Sequence, residues 1–132
     1  MIKFNNFLNF PTYYKNRQQR IIQVSVSIID YQKTDNELFV QAIANNKYNV
    51  SVSITNLKSK ETKVNCTCDS FKYEFAKSLD KVDGLLNREY YVNIWKKGYI
   101  RKTRRRSNPF NIPSGCKHVI ATCRMIRRKF NI

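Results

Sequence analysis

Cys66-Thr67-Cys68 and Cys116-Lys117-His118 are the two stretches that decide the fold of this 132-residue chain. They contain three of its four cysteines and its only histidine, and 47 residues lie between them. Residues i and i+2 of a strand point to the same face, so the first pair can reach one ion while the second pair completes a tetrahedron. Thiolate and imidazole are the ligands that Zn²⁺ prefers, and four protein ligands leave no open position for water or substrate. The sequence therefore predicts a structural zinc site of Cys66, Cys68, Cys116 and His118.

Three alternative interpretations compete with zinc. The cysteines can be reduced core residues and His118 a satisfied imidazole, although scattered cysteines seldom pair as CxC with CxH. A disulfide framework needs an oxidising compartment, and residues 1–7 offer no continuous apolar core of a signal peptide. We therefore expect an intracellular protein that is not secreted. A Cys–His nucleophilic pair would need His118 to be free of metal.

Cys123 is a further candidate ligand, because it could replace His118 in an all-thiolate site. If residues 117–130 form a helix with about 100° per residue, Cys123 falls in the middle of an apolar stripe about 60° wide. We interpret it as a core thiol. The stripe consists of Val119, Cys123, Ile126 and Phe130.

The approach to this helix also favours the zinc site. Pro113-Ser114-Gly115 predicts a turn and an N-cap, which places the second metal-binding pair in the first helical turn. The helix macrodipole stabilises a thiolate at that position.

The two halves of the site resemble SWIM-type zinc fingers, which carry CxC on a strand and CxH at the opening of a helix. The resemblance covers roughly half of the chain and rests on Val64-Asn65-Cys66-Thr67-Cys68-Asp69-Ser70-Phe71 and Gly115-Cys116-Lys117-His118-Val119-Ile120-Ala121. Phe71-Lys72-Tyr73-Glu74-Phe75-Ala76 and Asn108-Pro109-Phe110-Asn111-Ile112-Pro113 are similar to SWIM-like proteins of tailed-bacteriophage virions. The resemblance implies Zn²⁺ as cofactor, neighbouring virion or assembly proteins as partners, and a location in the virion or host cytoplasm. The long spacing departs from the family and predicts an insertion.

Strand patterns precede a single closing helix, which predicts an α+β fold with an antiparallel β-meander. Strands are expected at residues 20–29, 38–44, 48–54 and 62–68, with a hairpin at Asn45-Asn46-Lys47 and a turn at Ser59-Lys60-Glu61. Alternation of Val50, Val52 and Ile54 with polar residues gives the sheet one dry face, which the helix at 117–130 would cover.

We expect one domain over residues 1–132 in three parts. These are a β-meander with CxC over 1–69, a basic insertion over 70–113, and the CxH pair with the closing helix over 114–132. Within the insertion, Phe71 and Phe75 at i and i+4 predict a short helix over 70–81, and Asp83-Gly84 marks a turn. The aromatic stretches 90–95 and 99–100 predict a hairpin around Lys96-Lys97-Gly98.

Positive charge is concentrated in the second half of the chain. The formal net charge is +16, and twelve lysines and arginines but no acidic residue follow Glu89. A solvated face is the usual reason for a charge run, but a block of one sign is typical of a polyanionic partner. We therefore predict nucleic acid or an acidic protein surface as the partner. The candidate binding residues are Lys96, Lys97, Arg101, Lys102, Arg104, Arg105, Arg106, Arg124, Arg127 and Arg128.

Other function classes have less support in the sequence. No apolar run approaches the roughly 18 residues that a membrane span needs, and the stripe of the basic helix is required by the sheet, so we expect no membrane partner. No carboxylate cluster, phosphate loop or nucleophile elbow indicates an enzyme or a small-molecule substrate. Trp95 and Tyr99 could stack on bases, with strand core as the alternative.

Two functions from different classes remain. The first is a small structural subunit of a larger assembly, a phage virion by the resemblance, whose basic insertion docks on neighbouring subunits or DNA. The second is a free-standing SWIM-type nucleic-acid-binding module.

Overall fold

A computed structural model describes residues 1–10, 18–98, 108 and 111–132. Its strands are β1 (Val26–Lys33), β2 (Leu38–Ala44), β3 (Tyr48–Asn56) and β4 (Glu61–Cys66), and its helices are α1 (Gln18–Ile22), α2 (Ala76–Lys81), α3 (Arg88–Lys96) and α4 (Lys117–Phe130). A 3₁₀ helix spans Phe4–Phe7, and a π-helix, Phe71–Phe75, runs directly into α2. The fold class is α+β, as predicted.

The four strands form one antiparallel meander in the order β1-β2-β3-β4. The β2–β3 hairpin turns through Asn45 and Asn46, whose φ of 53° and 55° are left-handed values that asparagine tolerates, and the Lys47 amide donates to the Ala44 carbonyl at 3.1 Å. At the β3–β4 turn Lys60 also has a positive φ, of 59°. The predicted turns and the last three strands are confirmed, with ends that differ by one or two residues.

The predicted first strand, 20–29, is wrong in its first half. Residues 20–22 belong to α1 and residues 23–25 to no strand, and Ile21, only 2% exposed, packs with Phe10, Ile120 and Ala121 in a small second cluster. The strand runs on to Lys33, and a register shift between Ile28 and Asp30 interrupts its alternation. The exposed outer half of this edge strand therefore carries no period-two pattern for the sequence to reveal.

The main core lies between one face of the sheet and α4. Val50, Val52 and Ile54 are buried on the sheet, and Val119, Cys123 and Ile126 are buried on the helix, as predicted. Each fully buried side chain of this size contributes about 1.5–3 kcal/mol. The N-terminal segment adds Ile2, Phe4, Phe7 and Leu8 to the same cluster.

The first part of the insertion is helical and packs into this core. The helix predicted over 70–81 is present, and Phe71, Phe75 and Leu79 are completely buried. The turn at Asp83 is also present, with φ of 56°.

The predicted hairpin around residues 96–98 is wrong, because residues 88–96 form α3. The rings of Tyr91 and Trp95, one helical turn apart, lie 6.2 Å from each other, and Tyr91 packs 6.1 Å from Phe71. Burial of this aromatic face against the core outweighs the local strand preference of the residues. Tyr99 and Ile100 lie outside the described residues. Within the described ranges, no helix is long and apolar enough to cross a membrane.

Candidate metal centre

The first two candidate ligands lie where β4 ends. Cys66 is the last residue of the strand, opposite Val50 of β3, on the sheet face that packs against α4. Pairing with β3 continues for one residue, since the Thr67 amide donates to the Asn49 carbonyl at 3.1 Å. Cys68 follows outside the strand, and its sulfur accepts the Phe71 amide at 3.3 Å. The CxC pair therefore spans a strand end and a helical turn, whereas both cysteines were predicted within a strand.

The other two candidate ligands open α4. Cys116 is the residue at the N-cap position, and the Ile120 amide donates to its carbonyl at 3.0 Å. The N-cap was predicted within residues 113–115 but is the residue after them, and Ser114 makes no cap hydrogen bond. A methyl group on Gly115 would lie 2.5 Å from Val119 Cγ1, so only glycine lets the chain enter the helix this closely.

Asn108 fixes the approach to this second pair. It is 1% exposed, and its amide nitrogen donates to the carbonyls of Glu74 and Ile112 at 2.9 and 3.0 Å. Its side-chain oxygen accepts the Ile112 amide at 3.0 Å. The end of the insertion is thereby tied to the π-helix that begins just after the first pair.

The four side chains converge on one point. Their ligand atoms all lie within 4.8 Å of one another, and the sulfurs of Cys66 and Cys116 are 3.9 and 3.8 Å from Nδ1 of His118. A tetrahedral ion with bonds of about 2.3 Å to sulfur and about 2.0 Å to nitrogen requires edges of about 3.5–3.8 Å. The site can therefore hold one metal ion with adjustments of about 1 Å or less, and His118 would bind through Nδ1.

The cluster is closed to solvent. All four residues are buried, and His118 is 4% exposed. Its ring lies 4.6 Å from that of Tyr48 of β3, which packs against the core. Four protein ligands in such surroundings leave no position for a substrate, which is the arrangement of structural sites.

The pKa values show how the thiols interact. Hydrogen bonds from Cys116 and then Cys66 hold the pKa of Cys68 well below its usual range. Burial raises the pKa of Cys116 far above its usual range. The hydrogen bond with Cys116 lowers the pKa of Cys66, but the hydrogen bond with Cys68 and burial act in the opposite direction and together raise it. The three thiols therefore interact strongly with one another, and a divalent cation would stabilise all three as thiolates.

Residues outside the predicted set support the site. The Tyr91 hydroxyl donates to the side-chain oxygen of Asn65 and lies 3.3 Å from the Cys66 carbonyl oxygen. The alternation of β3 places Tyr48 on the same face as Val50 and could have revealed its contact with His118. The contact of Tyr91 with Asn65 and Cys66 was not predicted, because residues 90–95 were expected to form a strand and not a helix.

Cys123 is separate from the metal-binding cluster and completely buried in the core, as predicted. Burial raises the pKa of its thiol well above the usual range. The structure therefore does not support the alternative site in which Cys123 replaces His118.

The predicted partner-binding residues lie apart from this centre or outside the described part of the chain. Lys96, Lys97, Arg127 and Arg128 are exposed, at the ends of α3 and α4. Arg124 is half-buried, and donates to the Leu8 carbonyl at 2.6 Å and to the Asn9 side-chain oxygen at 2.7 Å. Outside the described residues are Arg101, Lys102, Arg104, Arg105 and Arg106.

Comparisons of the chain with protein-family models, with curated proteins and with solved structures find no match.

Proposed function

We propose that Cys66, Cys68, Cys116 and His118 bind one structural Zn²⁺ and that the chain is a non-catalytic subunit of a larger assembly. The observation that carries the proposal is the convergence of all four side chains in a buried cluster. Three sulfurs and one imidazole nitrogen form a donor set that suits Zn²⁺ and excludes the hard cations that prefer oxygen.

The position of the site supports a role in folding. The ion would join the end of β4 to the beginning of α4, and close the loop of 47 residues between them. A core of this size gains substantially from such a cross-link, because metal binding contributes its free energy to the folded state.

The charge distribution supports an assembly role. Residues 96–106 contain seven cations and no carboxylate, so their mutual repulsion favours a partner that neutralises them. The resemblance to SWIM-like virion proteins suggests a tailed-phage particle, in which the basic surface would dock on neighbouring subunits or DNA.

Purification under native conditions, followed by mass spectrometry and metal analysis, tests this proposal. The chain should co-purify with defined proteins in stoichiometric amounts and carry about one zinc per chain. A zinc-loaded chain that is recovered only as a free monomer would contradict the assembly role and leave the metal site intact.

The absence of acidic residues after Glu89 favours a second candidate, a free-standing SWIM-type nucleic-acid-binding module. The isolated protein should then bind unrelated DNA sequences with similar affinity, and the affinity should fall steeply with salt. Lack of DNA binding at low salt would exclude this candidate.

A further inference from the structure

Two grooves adjoin on the side of the molecule formed by α4, α1 and the N-terminal segment. The arginine groove has a volume of about 570 Å³ and is lined by Arg124, Arg127, Arg128, Asn9 and Asn131, among others. The aliphatic groove has a volume of about 180 Å³ and is lined by Ile21, Ile22, Val24, Val26, Ala121 and Met125. Arg124 and Arg128 line both grooves, which therefore lie side by side.

The described lining of the arginine groove contains three arginines and no aspartate or glutamate. The ion pairs of Lys63 with Asp83 and of Arg88 with Asp80 lie away from this groove. Arg127 and Arg128 are exposed in the last turn of α4, where they also complement the negative end of the helix macrodipole. That end is equivalent to only about half a charge, so most of their charge is available to an anionic partner.

The aliphatic groove selects among anionic partners. Ile22 at its rim is 79% exposed, so its side chain is accessible to a binding partner. The described lining contains no aromatic ring, and nucleic-acid bases are bound chiefly by stacking on aromatic side chains. An apolar side chain of a peptide fits this surface better than a base.

We propose that the two grooves together bind an acidic peptide segment of a neighbouring protein, with carboxylates in the arginine groove and an apolar side chain in the aliphatic groove. The buried apolar side chain would contribute affinity, and the ion pairs with the arginines would fix the register of the peptide. The inference rests on the proposed assembly role and specifies the chemistry of the neighbour.

Fluorescence anisotropy on the zinc-loaded full chain tests this inference with three labelled probes. The first is a peptide of about eight residues with two leucines among glutamates, the second has serines in place of the leucines, and the third is an oligothymidine of about 12 nucleotides. The leucine peptide should bind about tenfold more tightly than the serine peptide, because one leucine enters the aliphatic groove.

Substitutions test the contribution of each groove to peptide binding separately. Ile22→Gln, at an exposed position, should abolish the preference for leucine and leave the affinity for the serine peptide within about twofold. The double variant Arg127→Gln and Arg128→Gln should weaken both peptides about tenfold or more. Lys58→Gln with Lys77→Gln, two exposed lysines away from the grooves, removes the same charge and should change either affinity less than about twofold.

Equal affinity for the leucine and serine peptides, or a preference that survives Ile22→Gln, would overturn the inference. So would an oligothymidine that binds more tightly than the leucine peptide, since the surface would then be a phosphate site. Zinc content measured on the same samples distinguishes this failure from failure of the metal proposal. Binding of the leucine peptide by a chain that is recovered only as a monomer would refute the assembly role alone.

Discussion

At the level of single residues, the four cysteines fall into two chemical classes. Cys66, Cys68 and Cys116 share a buried cluster with His118. Cys123 instead lies in the apolar core, where burial is the cause of its raised pKa. The sequence predicted this division from the position of Cys123 in the middle of a helical stripe. It could do so because the geometry of α4 depends on local periodicity alone.

Substitution of the two classes should therefore have different effects. His118→Ala removes a ligand, and we expect loss of most bound metal and a decrease of at least about 3 kcal/mol in the free energy of unfolding. Cys123→Ala only shortens a core side chain, and should retain one equivalent of metal at a cost of about 1 kcal/mol. Metal analysis and urea unfolding of both variants check this, and the reverse order would point to an all-cysteine site.

The raised pKa of Cys123 predicts a dependence of stability on alkaline pH. The unfolded thiol ionises near pH 8.5, while the folded thiol keeps its proton because it is buried. Its contribution to stability is therefore complete below about pH 8.5 and falls as the pH rises, by about 1.4 kcal/mol per unit. Urea unfolding between pH 8 and 10 should show this fall in the wild type relative to Cys123→Ala. A constant difference between the two proteins would refute it.

At the scale of elements, prediction succeeded where local signals act alone and failed where the core overrides them. β2, β3 and the β2–β3 hairpin follow from alternation and the Asn45-Asn46 pair, and α4 has the predicted bounds. α3 was missed because Tyr91 and Trp95 have strand propensity and become helical only through packing. The metal site was predictable because two pairs of candidate ligands, each pair at i and i+2, constrain it more strongly than any single element.

The basic tract between α3 and α4 should contribute a sequence-independent part of any DNA binding. Replacing Arg104, Arg105 and Arg106 with alanine removes three phosphate-binding charges. The slope of log K against log salt should decrease by up to about 0.9 for each lost phosphate contact, with unrelated sequences affected alike. Lys33, Lys58 and Lys77, exposed in the first part of the chain, provide a triple-alanine control of equal charge. Equal slopes in both triple variants would show that this tract makes no phosphate contacts beyond the effect of its net charge.

For the whole molecule, the structure separates the buried Cys/His cluster from the charged surface. The metal cluster lies inside, between the sheet and α4, whereas the exposed arginines of α4 and the lysines that end α3 lie outside. A partner could therefore bind the surface without access to the metal.

Hydrogen exchange tests this separation in the complete protein. Because residues 96–106 carry seven mutually repelling cations, we expect fast exchange there in the isolated chain and strong protection in its native complex. Strand β3 should be protected in both states, since it lies at the centre of the sheet. Equal and high protection of 96–106 in the free monomer would make this stretch part of the protein's own fold and weaken the assembly role.

The most direct test of the central claim is metal content combined with thermal unfolding before and after treatment with a strong chelator. If Cys66, Cys68, Cys116 and His118 hold a structural ion, the purified protein contains about one equivalent of Zn²⁺, and its removal unfolds the chain or lowers its melting temperature steeply. Re-addition of Zn²⁺ should restore the original transition. A metal-free protein with an unchanged melting temperature would contradict the claim.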